Sequence, residues 1–443
     1  MSEPTLRTAL AGSLAALGVR RTVGLDLGLG EGGLPHVEVD DPDLAVLLAD
    51  ADGAVNGGLG VAVLAGQLLH LSSMPGGTAF PQTVGSPEEL LDTLAAIDTT
   101  MPATTALHLD LDLGQDIPAE LSVGAEPERQ VAYQLGSSLK GARLAVIAGA
   151  GVVRSGSGAA LAGFAERLGV PVLNTVAAKG VFRWNSPYHA GTIGLQARDA
   201  ELGGVDTAHV VILTGVAEGE LTDPPTGNVV EIDPRQLAVA AEGWTAPADG
   251  PADRPPLYDA LAAVIGPAYE RNDTPLSAPR AALHLAGAAP DDGVAVLDAD
   301  LAGFWVGRAF PTAVPGSVVV SPTPLPGFAA AGALMARLAG RPALGVRSGV
   351  PRGDGPADEV EAEVLALGGR LGVGVAVQAW SPDAPPVEAD EHARATERDY
   401  VASAGGDAPA IRPVAVALDR LDALIEAAGE PAAWALPHEA TEG

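Results

Sequence analysis

The chain has no cysteine among its 443 residues, which excludes disulfides, thiolate metal sites and cysteine nucleophiles and leaves the compartment open. Lysine is almost missing, with Lys140 and Lys179 the only examples. Positive charge is scarce altogether, 25 basic residues against 56 acidic ones for a formal charge of −31. Such a field repels nucleic acid and anionic membrane surfaces while favouring solubility, and high salt would screen its self-repulsion. An acidic, lysine-poor, Ala/Gly/Pro-rich composition suits a salt-adapted, halophilic or GC-rich source, with compositional drift as the alternative. No apolar run is long enough to cross a bilayer, and the opening MSEPTLRTAL lacks a basic region followed by an apolar core. A soluble, cytoplasmic protein without membrane or nucleic-acid partners is therefore expected. Also missing are a Walker loop, a Gly-x-Ser-x-Gly elbow and any His-x-x-x-His pair among the eight histidines.

What is present is a hydrophobic share of 47%, ample for buried cores, in a chain long enough for about three domains. The organising stretch runs from Gly141 to Pro234. Leu144–Ala148 is an unbroken apolar run ending in Gly149, Ala150 and Gly151, the pattern of a buried parallel strand entering a glycine turn. Ala160, Leu161, Phe164, Ala165 and Leu168 recur at helical spacing until Gly169 and Pro171 stop them. Val172–Val176, Val210–Thr214 and Val229–Ile232 read as further strands, so the rhythm predicts a parallel α/β sheet. The glycine turn has two readings, a plain tight turn or a phosphate cradle at a helix N-terminus. Its spacing, Gly149, Gly151, Gly156, misses the dinucleotide fingerprint because Arg154 stands in the third glycine's place.

This stretch resembles the central domain of thiamine-diphosphate-dependent enzymes of the acetolactate synthase, benzoylformate decarboxylase and oxalyl-CoA decarboxylase group. The resemblance lies in the glycine turn with Ser155-Gly156, then ERLGVPVLNTVAAKGVF, SPYHAGTIG and the strand HVVILTG. It implies an α/β fold of three doubly wound parallel-sheet domains: a shortened pyrimidine-binding-like domain over 1–123, the central domain over 131–250 and a diphosphate-binding-like domain over 278–443. It also implies a homo-oligomer, dimer or tetramer, with cofactor sites between subunits. Some relatives hold FAD or ADP in the central domain, which would make Gly149, Gly151, Ser155 and Gly156 cofactor-binding candidates. His189, in SPYHAG, falls where the family has a loop facing the interdomain cleft.

In the first domain Leu6, Leu10, Leu14 and Leu17 share a helical face, Gly18 closes that helix and Thr22–Leu25 begins a strand. The family's glutamate, which bonds the cofactor's aminopyrimidine ring, aligns with Pro42 or Leu44, and no glutamate occurs between Glu38 and Glu88. Asp41 and Asp43 flank the position, either as shorter substitutes or as helix N-cap and first-turn acids. The family's glycine-proline-glycine loop and following helical segment are absent, since Leu64-Ala65-Gly66 passes directly to QLLHLSSMPGG, a helix SPEELLDTLAAI and a strand ALHLDLDL. Glu126–Leu139 reads as a linker with a short helix, and APADGPADRPP at Ala246–Pro256 as an interdomain linker before a helix over Leu257–Ile265.

In the third domain Gly293–Asp298, Ala343–Val346 and Pro326–Leu338 read as two strands and a helix. The family's diphosphate motif, which holds Mg²⁺ through an aspartate and an asparagine, falls by strand position on Ser348-Gly349-Val350 and by letters on Gly353-Asp354-Gly355. Its asparagine would lie near Val377-Gln378-Ala379, but the last asparagine of the chain is Asn272. Asp354 and Gln378 are thus the candidate metal ligands, both substitutes. SPDAPPVEADEHARATE is predicted as a surface loop and VAVALDRLDALIEAA as an amphipathic closing helix. Two functions follow: a homologue that has lost its cofactor and acts in binding or assembly, alone or beside an intact thiamine-diphosphate-enzyme subunit, or an active decarboxylase or carboligase of 2-oxo acids with substituted ligands. Three separate losses (glutamate, glycine-proline-glycine segment and asparagine) favour the first.

Overall fold

The computed structural model of the chain describes residues 5–118, 134–136, 139–350, 355–402 and 411–436. The chain divides into two compact units, Met1–Val131 and Ala132–Gly443. The expected linker over Glu126–Leu139 lies largely outside the described residues.

The first unit opens with helix α1 (Leu6–Ala16), whose Leu6, Leu10 and Leu14 are fully buried, as their spacing predicts. Strands β1 (Thr22–Gly24), β2 (His36–Glu38), β3 (Gly60–Leu64), β4 (Leu68–Ser72), β5 (Gln82–Val84) and β6 (Thr104–Leu109) form one sheet in the order β2-β1-β3-β4-β6-β5. Helix α2 (Pro42–Asn56) links β2 to β3, and α3 (Pro87–Ala95) links β5 to β6. The sheet is not wholly parallel: β4 runs against both β3 and β6. Only Ala65, Gly66 and Gln67 separate β3 from β4, and the last two adopt positive φ, so the chain turns back where a parallel crossover would need a dozen residues. Helix α2 lies hard against β3. A Cβ on Gly60 would come within 1.7 Å of the Ala49 carbonyl oxygen, so glycine is required there.

The second unit holds two parallel sheets. Strands β7 (Leu144–Ala148), β8 (Val172–Asn174), β9 (His189–Thr192), β10 (Val210–Thr214) and β11 (Val229–Ile232) are ordered β11-β10-β7-β8-β9. Their connections include α4 (Ala150–Arg154), α5 (Gly158–Leu168), α6 (Asp199–Leu202) and α7 (Leu237–Ala240), and α8 (Pro256–Tyr269) follows the proline-rich linker. The next sheet takes β12 (Leu276–Ser277), β13 (Val294–Leu297), β14 (Val318–Val320), β15 (Ala343–Ser348), β16 (Val377–Ser381) and β17 (Ile411–Ala417) in the order β12-β17-β16-β15-β13-β14. Helices α9 (Ala278–Ala288), α10 (Leu301–Ala309), α11 (Phe328–Leu338), α12 (Pro356–Arg370), α13 (Ala389–Ala402) and α14 (Asp422–Ala428) accompany it.

Three expectations need correction. The closing helix is only α14, because Val414–Ala417 are all buried and form the inner part of β17, paired with β12 and β16. The surface loop is instead mostly α13, whose polar His392, Thr396 and Asp399 face inward and are buried. The strand from Val172 ends at Asn174, and His189 stands at the head of β9 rather than in a loop.

The two sheets of this unit share one apolar core. Ile147, Leu173 and Leu195 from the first pack with Leu257 and Leu261 of α8 and with Leu297, Phe304 and Leu344 of the second. A buried ion pair pins the seam. Arg308 on α10 donates to both carboxylate oxygens of Asp199 at 2.8 and 2.9 Å and to the Thr192 carbonyl at 2.8 Å. Asp199 also accepts the Leu195 and Gln196 N–H groups, at 2.8 and 2.9 Å. Removing one partner of such a pair strands the other charge away from water, which costs about 3–5 kcal/mol. Arg308→Met is accordingly expected to lower the stability of the chain by that amount in denaturant titration, and a loss under about 1 kcal/mol would show that the seam stands without it.

Candidate functional site

Open parallel sheets bind ligands in the crevice beyond the carboxyl ends of their strands, where the strand order reverses. In the second unit those points fall between β7 and β10 and between β13 and β15.

At the first, β7 is followed by Gly149, the residue before α4. A Cβ on Gly149 would approach Val216 Cα to 2.4 Å and the Gly215 carbonyl oxygen to 2.5 Å, so the two strand ends meet closely. Gly151 lies in the first turn of α4, and Ser155 and Gly156 follow its last residue, so the short helix keeps the sequence candidates near one another. Their polar groups turn inward: the Gly151 N–H donates to the Gly215 carbonyl at 2.8 Å, and the Ser155 hydroxyl donates to the Gly151 carbonyl at 2.6 Å. The place an anion would take at the start of α4 is held by the side chain of Glu220. Its carboxylate accepts the Ala150 N–H through both oxygens at 3.1 Å, the Ala217 N–H at 3.0 Å and the Thr175 hydroxyl at 2.5 Å. Burial raises the Glu220 carboxyl above its ordinary range, and these donors pull it back. Sequence reading passed over Glu220, although it lies just beyond the apolar run of β10.

At the second point Asp298 follows the last residue of β13 and Asp300 caps α10. Asp300 accepts the Ala302 and Gly303 N–H groups at 2.8 and 3.0 Å through one oxygen and the Ser348 N–H at 2.6 Å through the other. Asp298 accepts the Ala329 N–H at 2.7 Å, near the start of α11. Burial, then the neighbouring Asp300 charge, pushes the Asp298 carboxyl well above the usual range. Burial raises the Asp300 carboxyl as well, opposed by its larger set of N–H donors. Behind them Arg347 grips Glu361 at 2.6 and 2.9 Å and Asp358 at 2.6 Å.

Among the described residues, the groups that a Mg²⁺ ion would need here are already engaged. At the strand-position register, Ser348 offers a hydroxyl that already accepts the Ala302 N–H at 2.9 Å. Gln378, the second candidate ligand, is fully buried, donating to Thr396 Oγ1 at 3.2 Å and Asp399 Oδ2 at 2.9 Å and accepting from the Trp380 indole at 3.0 Å. Asp354 lies outside the described residues. Among the described residues no three His, Asp or Glu side chains converge as a metal site would require.

In the first unit Asp41 is the N-cap of α2, its carboxylate accepting the Asp43 and Leu44 N–H groups at 2.8 and 2.9 Å, and Asp43 is an exposed acid of the first turn. The buried acids of that helix are others. Asp50 pairs with His70 at 2.8 Å and accepts the Gly76 N–H at 2.9 Å, and burial pushes Asp52 up to about 6.

The histidines are closer in space than in sequence. His284 and His392, on α9 and α13, share a hydrogen bond between their Nδ1 atoms at 2.8 Å, one ring donating and the other accepting. Burial lowers them to about 4 and about 3, so both are neutral at neutral pH. His189 meets the Tyr258 ring edge-on at 6.0 Å, its Nδ1 buried without a hydrogen-bond partner, and burial, then Lys179 and Arg254, lower it to about 3. Lys179 is buried at the seam, its ammonium 3.5 Å from the Thr192 hydroxyl.

Three α/β sheets, two of them joined in one parallel unit with crevices at their switch points, define the class as a multidomain α/β protein. Residues 138–242 match the family model of the thiamine pyrophosphate enzyme, central domain. An X-ray structure from Mycobacterium smegmatis, of a protein provisionally described as a thiamin diphosphate-dependent enzyme, is similar in fold with a TM-score of 0.58. The likeness covers 94% of this chain and 100% of that one at 14% identity. No curated protein matches the sequence.

Lys179 supplies a pH test. Burial first, then the Arg308 charge, lowers its pKa to about 7, against about 10.4 for a free lysine. Between those values the unfolded chain holds the proton and the folded chain does not, so this residue makes stability rise with pH from about 7 towards 10. Lys179→Met is expected to be more stable at pH 7 by about 2–4 kcal/mol and to lose that slope. Denaturant titrations at several pH values would contradict this if both proteins kept the same slope.

Proposed function

We propose that the chain is a thiamine-diphosphate-enzyme-type scaffold that does not bind the coenzyme and works as a non-catalytic binding or assembly protein. The observation that carries the reading is the use of the chain's own carboxylates, Glu220 and Asp300, as acceptors for the helix N-terminal N–H groups at both switch points of the second unit. An incoming diphosphate would have to displace these carboxyl groups from the N–H donors they hold, which opposes it by occupancy. The engagement of Gln378 and the capping role of Asp41 support the same reading, since neither is free for the task that the resemblance would give it. The same reasoning disfavours FAD or ADP at the glycine turn. As a scaffold the chain would self-associate as a dimer or tetramer, or join an intact subunit of the enzyme family.

Titration calorimetry with thiamine diphosphate and Mg²⁺, in high-salt buffer to screen the chain's charge, tests the proposal. No saturable heat is expected. Micromolar binding would overturn the reading and return the chain to the 2-oxo-acid decarboxylases and carboligases.

A further inference from the structure

Away from both crevices, a cavity of about 100 Å³ opens where the end of α8 meets the start of α9 and the turn between β17 and α14. Its wall is apolar, with Val264, Ile265, Ala268 and Trp305 prominent, and its charged residues are Arg271 and Arg420. The Trp305 indole N–H is spent on the Leu418 carbonyl at 2.8 Å, and the Ser277 hydroxyl donates to the Ala268 carbonyl at 2.7 Å. Inside, then, a ligand meets hydrocarbon, and its polar group must face the two guanidinium groups. Both lean on one carboxylate: Arg271 pairs with Asp273 at 2.5 Å and Arg420 only loosely at 3.6 Å. Arg420 makes no hydrogen bond among the described residues, and its loose pair with Asp273 leaves its guanidinium donors open to a ligand.

We propose that this cavity binds a small aliphatic carboxylate. A guanidinium presents paired donors that match a carboxylate in two-pronged geometry. An apolar cavity of about 150 Å³ holds a benzene ring, so this one is sized for a chain of roughly four to five carbons. Other anions are poor fits: a phosphate brings no apolar body for the wall to cover, and a long acyl chain exceeds the volume. Binding here involves neither switch point, so it is independent of whether thiamine diphosphate binds.

The test is calorimetric titration of the full chain with 3-methylbutanoate, alongside its uncharged counterpart 3-methyl-1-butanol. The acid is expected to bind with a Kd of about 1 mM or tighter, and the alcohol at least about ten-fold more weakly, the equivalent of one charge-assisted hydrogen bond. Arg420→Gln, at an exposed position, is expected to weaken the acid about ten-fold and leave the alcohol unchanged. Ala268→Leu, which fills the cavity, is expected to abolish both. No binding of the acid, equal binding of acid and alcohol, or binding unaffected by either substitution would overturn the proposal.

Discussion

Every helix that begins inside a protein exposes N–H groups that need acceptors, and in an open α/β sheet those groups point into the crevice where an anionic ligand would lie. In this chain the acceptors are covalently built in. Glu220 reaches back from beyond β10 to hold the first turn of α4, and Asp300 sits astride the start of α10 while also bonding the end of β15. A carboxylate supplied by the chain costs no association entropy and is always present. It therefore fixes the helix starts permanently and competes with any phosphate for the same donors. That one substitution of an internal anion for an external one links the fold, which is retained, to the proposed loss of coenzyme binding.

The same economy of charge appears elsewhere in the second unit. Arg308 and Asp199 neutralise one another at the seam of the two sheets, Arg347 is closed in by Glu361 and Asp358, and Asp399 takes both Gln378 and Arg412. Several of the few cations of an acidic protein are thus spent inside, where each must be matched. Lys179 differs, with the Thr192 hydroxyl and no carboxylate as its partner among the described residues, and burial answers by weakening its hold on a proton. Outside, Arg271 and Arg420 stand beside a small apolar recess with a single aspartate between them.

How much of this could be read from the sequence depended on where the signal lay. The strands β7, β10, β13 and β15 were plain because buried parallel strands carry unbroken apolar runs, here Leu144–Ala148, Val210–Leu213, Val294–Leu297 and Ala343–Val346. Helix α13 was hidden because several of its buried residues, His392, Thr396 and Asp399, are polar and find partners such as His284, Gln378 and Arg412 on other elements, so hydropathy does not mark its inner face. Strand β17 was hidden by fusion, since its apolar run passes after a short turn into the last helix and reads as one amphipathic pattern. At the site, Gly149, Gly151, Ser155 and Gly156 were found as a turn, but its occupant was not. Glu220 lies 70 residues from Ala150, a pairing that only the parallel crossover creates. The pairing of His284 with His392 spans 108 residues and is invisible to any spacing rule for the same reason.

The claim that an internal carboxylate takes the anion's place at the glycine turn can be tested at the turn itself, by following the Ala150 and Ala217 amide signals while inorganic phosphate is added to the unaltered chain and to Glu220→Ser. The account expects no saturable shift in the unaltered chain and a saturable shift at both amides in the variant. Phosphate binding at this turn in the unaltered chain, or none in the variant, would contradict it.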